Sequence, residues 1–187
     1  MISILEKFNI GGFRWFNDLA GHNVWLDRFM VFAADKMGYL LILLVLVLFW
    51  KKDYFKKVIL VSWGAAFIGR FVFVSIARYF LYSPRPFLIL ENVNQLMNHE
   101  IESSFPSGHA TFYFALATTI FLTNRRWGSW YLGLTTLVVI ARVIAGVHWP
   151  LDILGGAAIG ILSAVLVHGL LKPHLKTLQD SYPKPLE

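Results

Sequence analysis

There is no cysteine anywhere in the 187 residues of this chain. Disulfides, thiolate nucleophiles and Cys-ligated metals are excluded, and the redox compartment stays open. Charge is scarce too: 15% of residues are charged against 57% hydrophobic, far from the balance of soluble globular domains. A cleavable signal would need an apolar core near the N-terminus, and Glu6, Lys7, Arg14 and Asp18 stand there instead. No Pro/Ser/Gly-rich linker, low-complexity tract or internal repeat divides the chain. The expectation is one integral-membrane domain over residues 1–187: an interfacial segment at 1–25, a helix bundle at 26–171 and a cytoplasmic tail at 172–187.

What the chain does have is long apolar runs, several near the ~20 residues a helix needs to cross a bilayer. Four lie roughly at 58–79, 108–123, 130–147 and 151–171. A further run, "YLLILLVLVLFW", ends at Trp50 and must extend back through Lys36, Asp35 and Phe29 to reach bilayer length. It reads as either a full span or a broken helix. Before it, "MISILEKFNIGGFRWFNDLAGHNVW" mixes aromatic and charged residues around Gly11 and Gly12 and reads as an interfacial amphipathic segment. The expected fold is therefore all-α, a polytopic transmembrane helix bundle of about five to six spans with an N-terminal amphipathic segment.

The net charge of +6 does not point to nucleic acid, because the basic residues lie between the spans and after the last one. Lys51, Lys52, Lys56 and Lys57 share one loop, Arg125 and Arg126 another, and Lys172, Lys176 and Lys184 the tail. Alternation of spans puts all three on one side, which the positive-inside rule makes cytoplasmic. The segment from Arg78 to His109 and the turn from Arg142 to Asp152 then meet on the opposite face.

Three short stretches on that face carry most of the polar chemistry: "RYFLYSPRPF", "PSGH" and "RVIAGVHWPLD". Arg78, Arg85 and Arg142 bring planar, permanently charged forks suited to phosphate oxygens. Three such charges around one point repel each other unless an anion sits between them. In "PSGH", Ser107 is a natural N-cap, and the helix that follows offers unpaired N–H groups to an anion. Gly108 lets that anion approach without a Cβ in the way, and His109 lies in the first turn. In "VHWPLD", Pro150 suits a helix start, so Asp152 can fold back on His148. A carboxylate on one imidazole nitrogen fixes the tautomer and makes the other nitrogen the better nucleophile. This reading has His148 attacking phosphorus to form a phosphohistidine, and His109 protonating the leaving oxygen and then activating water. The arginines and the N–H groups stabilise charge on the equatorial oxygens.

Singly, each residue has a structural explanation. Arg78 alone reads as an interfacial anchor, His109 as a cap and Asp152 as a helix N-terminal charge. It is the ordered set, Arg-x6-Arg-Pro, Pro-Ser-Gly-His and Arg-x5-His-x3-Asp on one face, that points to chemistry. Other polar residues are read as structural or solvated. His22, His99, His168 and His174 show no metal-ligand spacing. Arg70, inside a span, reads as a buried structural partner. Glu91, Glu100 and Glu102 read as solvated, and Gly156 with Gly160 as a small-residue packing pair.

These motifs resemble the type 2 phosphatidic acid phosphatase superfamily, whose signature is Lys-x6-Arg-Pro, Pro-Ser-Gly-His and Ser-Arg-x5-His-x3-Asp. Here Arg78 stands for the lysine, Pro106 to His109 match throughout, and Ala141 stands before Arg142 where the family has serine. The resemblance implies His148 as nucleophile, Asp152 as its partner and His109 as acid/base. It further implies phosphate binding by Arg78, Arg85, Ser107, Gly108 and Arg142, with no metal and no cofactor. The compact size, "HNVWLDRFMVFAADKMGYLLILLVL" and "SFPSGHAT" are similar to bacterial undecaprenyl-diphosphate phosphatases of the bacitracin-resistance type. That likeness implies a bacterial inner-membrane protein acting on its extracytoplasmic face; a phosphatase of phosphatidylglycerolphosphate, phosphatidate or lipid A is the alternative. A transporter of a phosphorylated anion is the contrasting class, and such a pathway has no need of an oriented nucleophile. A helix over 108–123 is about 24 Å long at ~1.5 Å per residue, short of the ~30 Å hydrocarbon core. The catalytic face is therefore expected below the membrane surface, with the lipid entering sideways.

Overall fold

The computed structural model describes residues 3–49 and 53–180; Trp50, Lys51, Lys52 and Lys184 lie outside them. The described residues form helices and loops with no strand, so the all-α class holds. In chain order the helices are α1 (Ile4–Asn17), α2 (Val24–Asp35), α3 (Met37–Phe49) and α4 (Asp53–Phe67), then a π-helical segment (Ile68–Phe73) that leads into α5 (Val74–Phe80). The short α6 (Pro86–Ile89) interrupts a long loop before α7 (Gly108–Thr123), α8 (Arg125–Ile144) and α9 (Pro150–Asp180).

Among the described residues, three helical stretches are long and apolar enough to cross a membrane: Ile59–Phe80, Arg125–Ile144 and Pro150–Leu171. The pair α2–α3 makes a fourth if counted as one span, and it is bent by 53°. Of the two readings of that run, the broken helix is the one found. The break is held by a tertiary bond: helix C-termini leave carbonyls without partners, and the Ala34 carbonyl is taken by Arg142 Nη1 at 2.8 Å. Gly38, just after the bend, leaves room for Tyr113, whose hydroxyl would lie 1.9 Å from a Cβ there.

α7 is the most enclosed of the described helices. Tyr113, Leu116 and Ile120 pack with Leu41 and Val45 of α3, Ala65 and Ala66 of α4, Tyr131 and Val138 of α8, and Ala164 of α9. A helix apolar around its whole circumference belongs inside a bundle. The small-residue pair predicted on α9 sets how closely that helix approaches α7. A Cβ at Gly156 would fall 2.4 Å from the Ser107 carbonyl oxygen, and one at Gly160 2.4 Å from that of Thr111. Leu60, Phe71, Ile76, Leu162 and Leu166 point away from the core and stay exposed, as suits a face that meets lipid.

α1 forms as the amphipathic pattern predicts, with a Ser3–Glu6 capping box. Its inner face is tied to the parts that shape the site. Phe13 packs on Trp149 with ring centroids 5.2 Å apart. Asn9 Oδ1 accepts the Leu151 N–H at 3.0 Å, capping α9 from a distant helix. Asn17 bridges the Asn94 and Ile144 carbonyls, each at 2.9 Å.

Candidate active site

Loop 81–107 folds back over the turn between α8 and α9, as the topology argument required. Arg85 Nη1 donates to the Val147 carbonyl at 2.8 Å and Nε to that of Glu100 at 3.1 Å. The Ser107 N–H donates to the Asp152 carbonyl at 3.0 Å, joining the heads of α7 and α9. Two independent helix starts thus converge because each is capped where its sequence places the cap. Ser107 is the N-cap of α7, its hydroxyl accepting the Ala110 N–H at 3.4 Å. Pro150 opens α9.

His148 sits in the turn before α9, fully enclosed. Its Nδ1 lies 3.1 Å from Asp152 Oδ2. The same oxygen accepts the Trp149 N–H at 2.8 Å and a hydrogen bond from the Ser104 hydroxyl. Because that oxygen is held as an acceptor, Nδ1 carries the imidazole proton and Nε2 keeps its lone pair. Burial, followed by the Arg142 and Arg85 charges, holds the His148 imidazole well below its ordinary value. It is therefore neutral at neutral pH, the form that can attack.

His109 contrasts with it. Half-buried, it has no hydrogen bond among the described residues, and its nearest ring is Tyr113 at 6.2 Å between centroids. It opens onto a pocket of about 220 Å³. The backbone N–H groups of Gly108 and His109 likewise have no partner among the described residues.

The arginines divide by partner. Arg85, 1% exposed, is spent partly on the two carbonyls already named. Arg142 donates to Ala34 and lies 3.0 Å from His99 Nε2. Arg78 pairs with Glu102 at 3.1 Å and reaches the Pro106 carbonyl at 3.4 Å. Buried polar atoms normally have partners, yet Arg78 Nε, Arg142 Nε and His99 Nδ1 are buried with none. Spare cationic donors clustered in this way suit an anion.

Glu102 is exposed as expected, and it also serves as the ion-pair partner of Arg78. Two readings need revision. Gly108 does not leave open space: a Cβ there would fall 1.9 Å from Arg70 Nη1, so the Arg70 guanidinium occupies it. Arg70 has no ion pair or hydrogen bond among the described residues; it packs against Gly108 and lies 5.9 Å from the centroid of the Phe71 ring. It is not the paired structural residue expected.

Two site residues escaped the sequence reading. Ser104 is completely buried with its hydroxyl on Asp152 and 3.3 Å from His148 Nδ1. His99 bridges towards Arg142, its ring 6.0 Å from that of His148. Burial and the Arg85 and Arg142 charges push His99 down to about 4, so it faces Arg142 as a neutral acceptor. The doubled serine of "ESSFPSGH" was the available signal for Ser104. Among the described residues no group of three His, Asp or Glu side chains has the spacing to hold a metal ion.

Comparison with known proteins places these residues in company. The profile of the PAP2 superfamily matches residues 60–175. A bacitracin transport permease protein BcrC of Bacillus licheniformis is 37% identical over 87% of this chain and 80% of its own. The undecaprenyl-diphosphatase BcrC of Bacillus subtilis is 32% identical over 91% of this chain and 89% of its own. The crystal structure of Aquifex aeolicus LpxE superimposes with a TM-score of 0.74 at 28% identity, covering 87% of this chain and 95% of that one.

Proposed function

This chain belongs to the PAP2 superfamily, and from that premise we propose that it hydrolyses undecaprenyl diphosphate to undecaprenyl phosphate and phosphate. It is a multi-pass membrane protein and a lipid phosphatase by family. The specific substrate is supported by the likeness to the Bacillus subtilis relative, which is named an undecaprenyl-diphosphatase. The observation that carries the chemistry is the His148–Asp152 pair, with the carboxylate on Nδ1 and Nε2 free.

In this reading His148 Nε2 attacks the terminal phosphorus, and the bond from phosphorus to the bridging oxygen breaks. Its electron pair stays on that oxygen, which takes a proton from His109 or leaves as the lipid phosphate anion. His109 then removes a proton from water, which attacks the phosphohistidine and releases orthophosphate. Ionised Asp152 stabilises the imidazolium that forms when Nε2 bonds to phosphorus. Arg85, Arg142, Arg78, the Ser107 cap and the N–H groups of Gly108 and His109 neutralise the equatorial oxygens.

One relative's name speaks of transport, the contrasting class weighed from sequence. A permeation path gains nothing from a carboxylate aligned on a buried imidazole, so hydrolysis is the better reading. We further infer that the site opens on the extracytoplasmic face of a bacterial inner membrane, with residues 1–187 acting as one domain. The test is phosphate release in detergent with EDTA from undecaprenyl diphosphate, phosphatidylglycerolphosphate and phosphatidate, comparing wild type with His148→Ala. Release that survives EDTA and vanishes in the variant is expected. Turnover retained by His148→Ala, or none by the wild type, would overturn the reading.

A further inference from the structure

Among the described arginines around the site, Arg70 is the outlying one. The other buried arginines are held by carbonyls, a histidine or a glutamate, whereas Arg70 has no such partner among the described residues. A cation within a membrane span is costly, and such residues pair or mark a ligand path. Arg70 is placed by two features of the fold. It lies in the π-helical segment, where the Val74 N–H bonds the Gly69 carbonyl rather than the usual one a residue later, and π insertions recur at functional positions. It also lies flat against Gly108, the one residue type that leaves room for it at the head of α7.

The position relative to His109 decides what Arg70 can bind. Arg70, Gly108 and His109 line one pocket together with the rings of Phe67, Phe71 and Phe112. Phe67 and Phe71 are exposed on the outer side of the bundle, so this pocket joins the lipid-facing surface to the acid/base histidine. His148 does not line this pocket: it is fully enclosed, with the Ser104 hydroxyl 3.3 Å from its Nδ1. A group that receives a proton from His109 is the leaving group, and what lies further along the pocket is the rest of the leaving group. In a monophosphate that is a carbon chain. In a diphosphate it is a second phosphate, bearing negative charge that grows as the bridging bond breaks.

We propose that Arg70 binds the phosphate that stays on the lipid, and that it thereby makes the site select lipid diphosphates. This rests on the phosphatase reading above. His148 attack still breaks only the bond from the terminal phosphorus to the bridging oxygen; Arg70 forms hydrogen bonds to the non-bridging oxygens of the departing phosphate and gains as their charge rises. The aromatic walls accept the first units of an apolar chain.

The experiment compares wild type, Arg70→Gln and Arg70→Lys in detergent. It measures kcat/KM for undecaprenyl diphosphate and the inhibition constant of inorganic phosphate, which reports the cradle around His148. Arg70→Gln is expected to lower kcat/KM by about 10- to 100-fold, the effect of losing a hydrogen bond to a charged group. Inhibition by inorganic phosphate should change by less than about 2-fold, and Arg70→Lys should recover part of the loss. A melting temperature within a few degrees of wild type accompanies this result, since Arg70 holds no internal partner. Unchanged kcat/KM in Arg70→Gln would overturn the assignment. So would an equal loss of phosphate inhibition, which would put Arg70 on the transferred phosphate or in the scaffold. Failure of the wild type itself on undecaprenyl diphosphate would sink the substrate reading first, and is seen before any variant is made.

Discussion

The two histidines of the site stand in opposite states of preparation. His148 is enclosed, its Nδ1 on Asp152, with Ser104 and the Trp149 N–H holding the same carboxylate oxygen. Among the described residues His109 has no hydrogen bond, and it looks into an open pocket beside Arg70, which has no ion pair there. The difference matches the order of events in the proposed mechanism. A nucleophile must be aimed before substrate arrives, because misalignment is paid for in every turnover. A general acid acts on an oxygen that only the substrate brings, so its last hydrogen bond cannot exist beforehand. One half of the site is built by the protein and the other is completed by the ligand.

The sharpest way to break this comparison is at Asp152. Asp152→Asn keeps the shape but replaces an acceptor by a side chain that can offer N–H groups to His148, favouring the wrong tautomer. It also leaves the imidazolium without its counter-charge. Activity on undecaprenyl diphosphate should fall about 10⁴-fold, read as kcat, with KM little changed. A loss under tenfold would show that His148 needs no aiming.

At His109 the size of the loss should depend on the leaving group. His109→Ala should cost about 10³-fold on phosphatidate, whose alkoxide needs a proton as it departs. The loss should be clearly smaller on a lipid diphosphate, whose departing phosphate is the weaker base. Equal losses on both substrates would remove His109 from the acid role and leave it with water activation alone.

Packing supports the prepared half from a distance. Gly156 lies where a Cβ would meet the Ser107 carbonyl oxygen and the Ala110 Cβ, so Gly156→Val must push α9 from α7. Overpacking of this kind costs about 1–3 kcal/mol. It should lower thermal stability and also kcat, since the same helix heads carry Asp152 and Ser107. A stable variant with full kcat would show that this close approach is structural only.

How far the sequence led can be judged residue by residue. Ser107 as cap, Gly108 as first helical residue and Pro150 as the start of α9 follow from local rules, because caps and first-turn prolines act within a few residues. The meeting of 78–109 with 142–152 followed from charge and span alternation. Ser104, His99 and Arg70 were not legible in the same way. The first two sit on an irregular loop whose path is fixed by bonds such as Ser104 N–H to the Ser83 carbonyl and Leu96 N–H to that of Ala145. Arg70 is turned towards Gly108 by a π-helical segment, and the apolar pattern over 68–73 carries no mark of that extra residue per turn. The bend at Lys36 was legible as an alternative, and tertiary bonding from Arg142 decided it.

The smallest effect expected is on pH dependence, and it tests the electrostatics of the prepared half alone. Because burial and the Arg142 and Arg85 charges lower the His148 pKa, the free enzyme keeps a neutral nucleophile as pH falls through the ordinary imidazole range of about 6.5. The acid limb of kcat/KM, which reports the free enzyme, should therefore lie below that value. Removing one of the two cations raises the pKa again: in Arg85→Gln the limb should move upward in pH, on top of the lost phosphate contact. His109 titrates in the same profile, so the assay uses His109→Ala as background, in which the limb that remains belongs to the coupled His148–Asp152 pair. A limb that stays in place when Arg85 is neutralised would mean that burial alone holds His148 neutral, and that Arg85 serves only the phosphate and the two carbonyls it already grips.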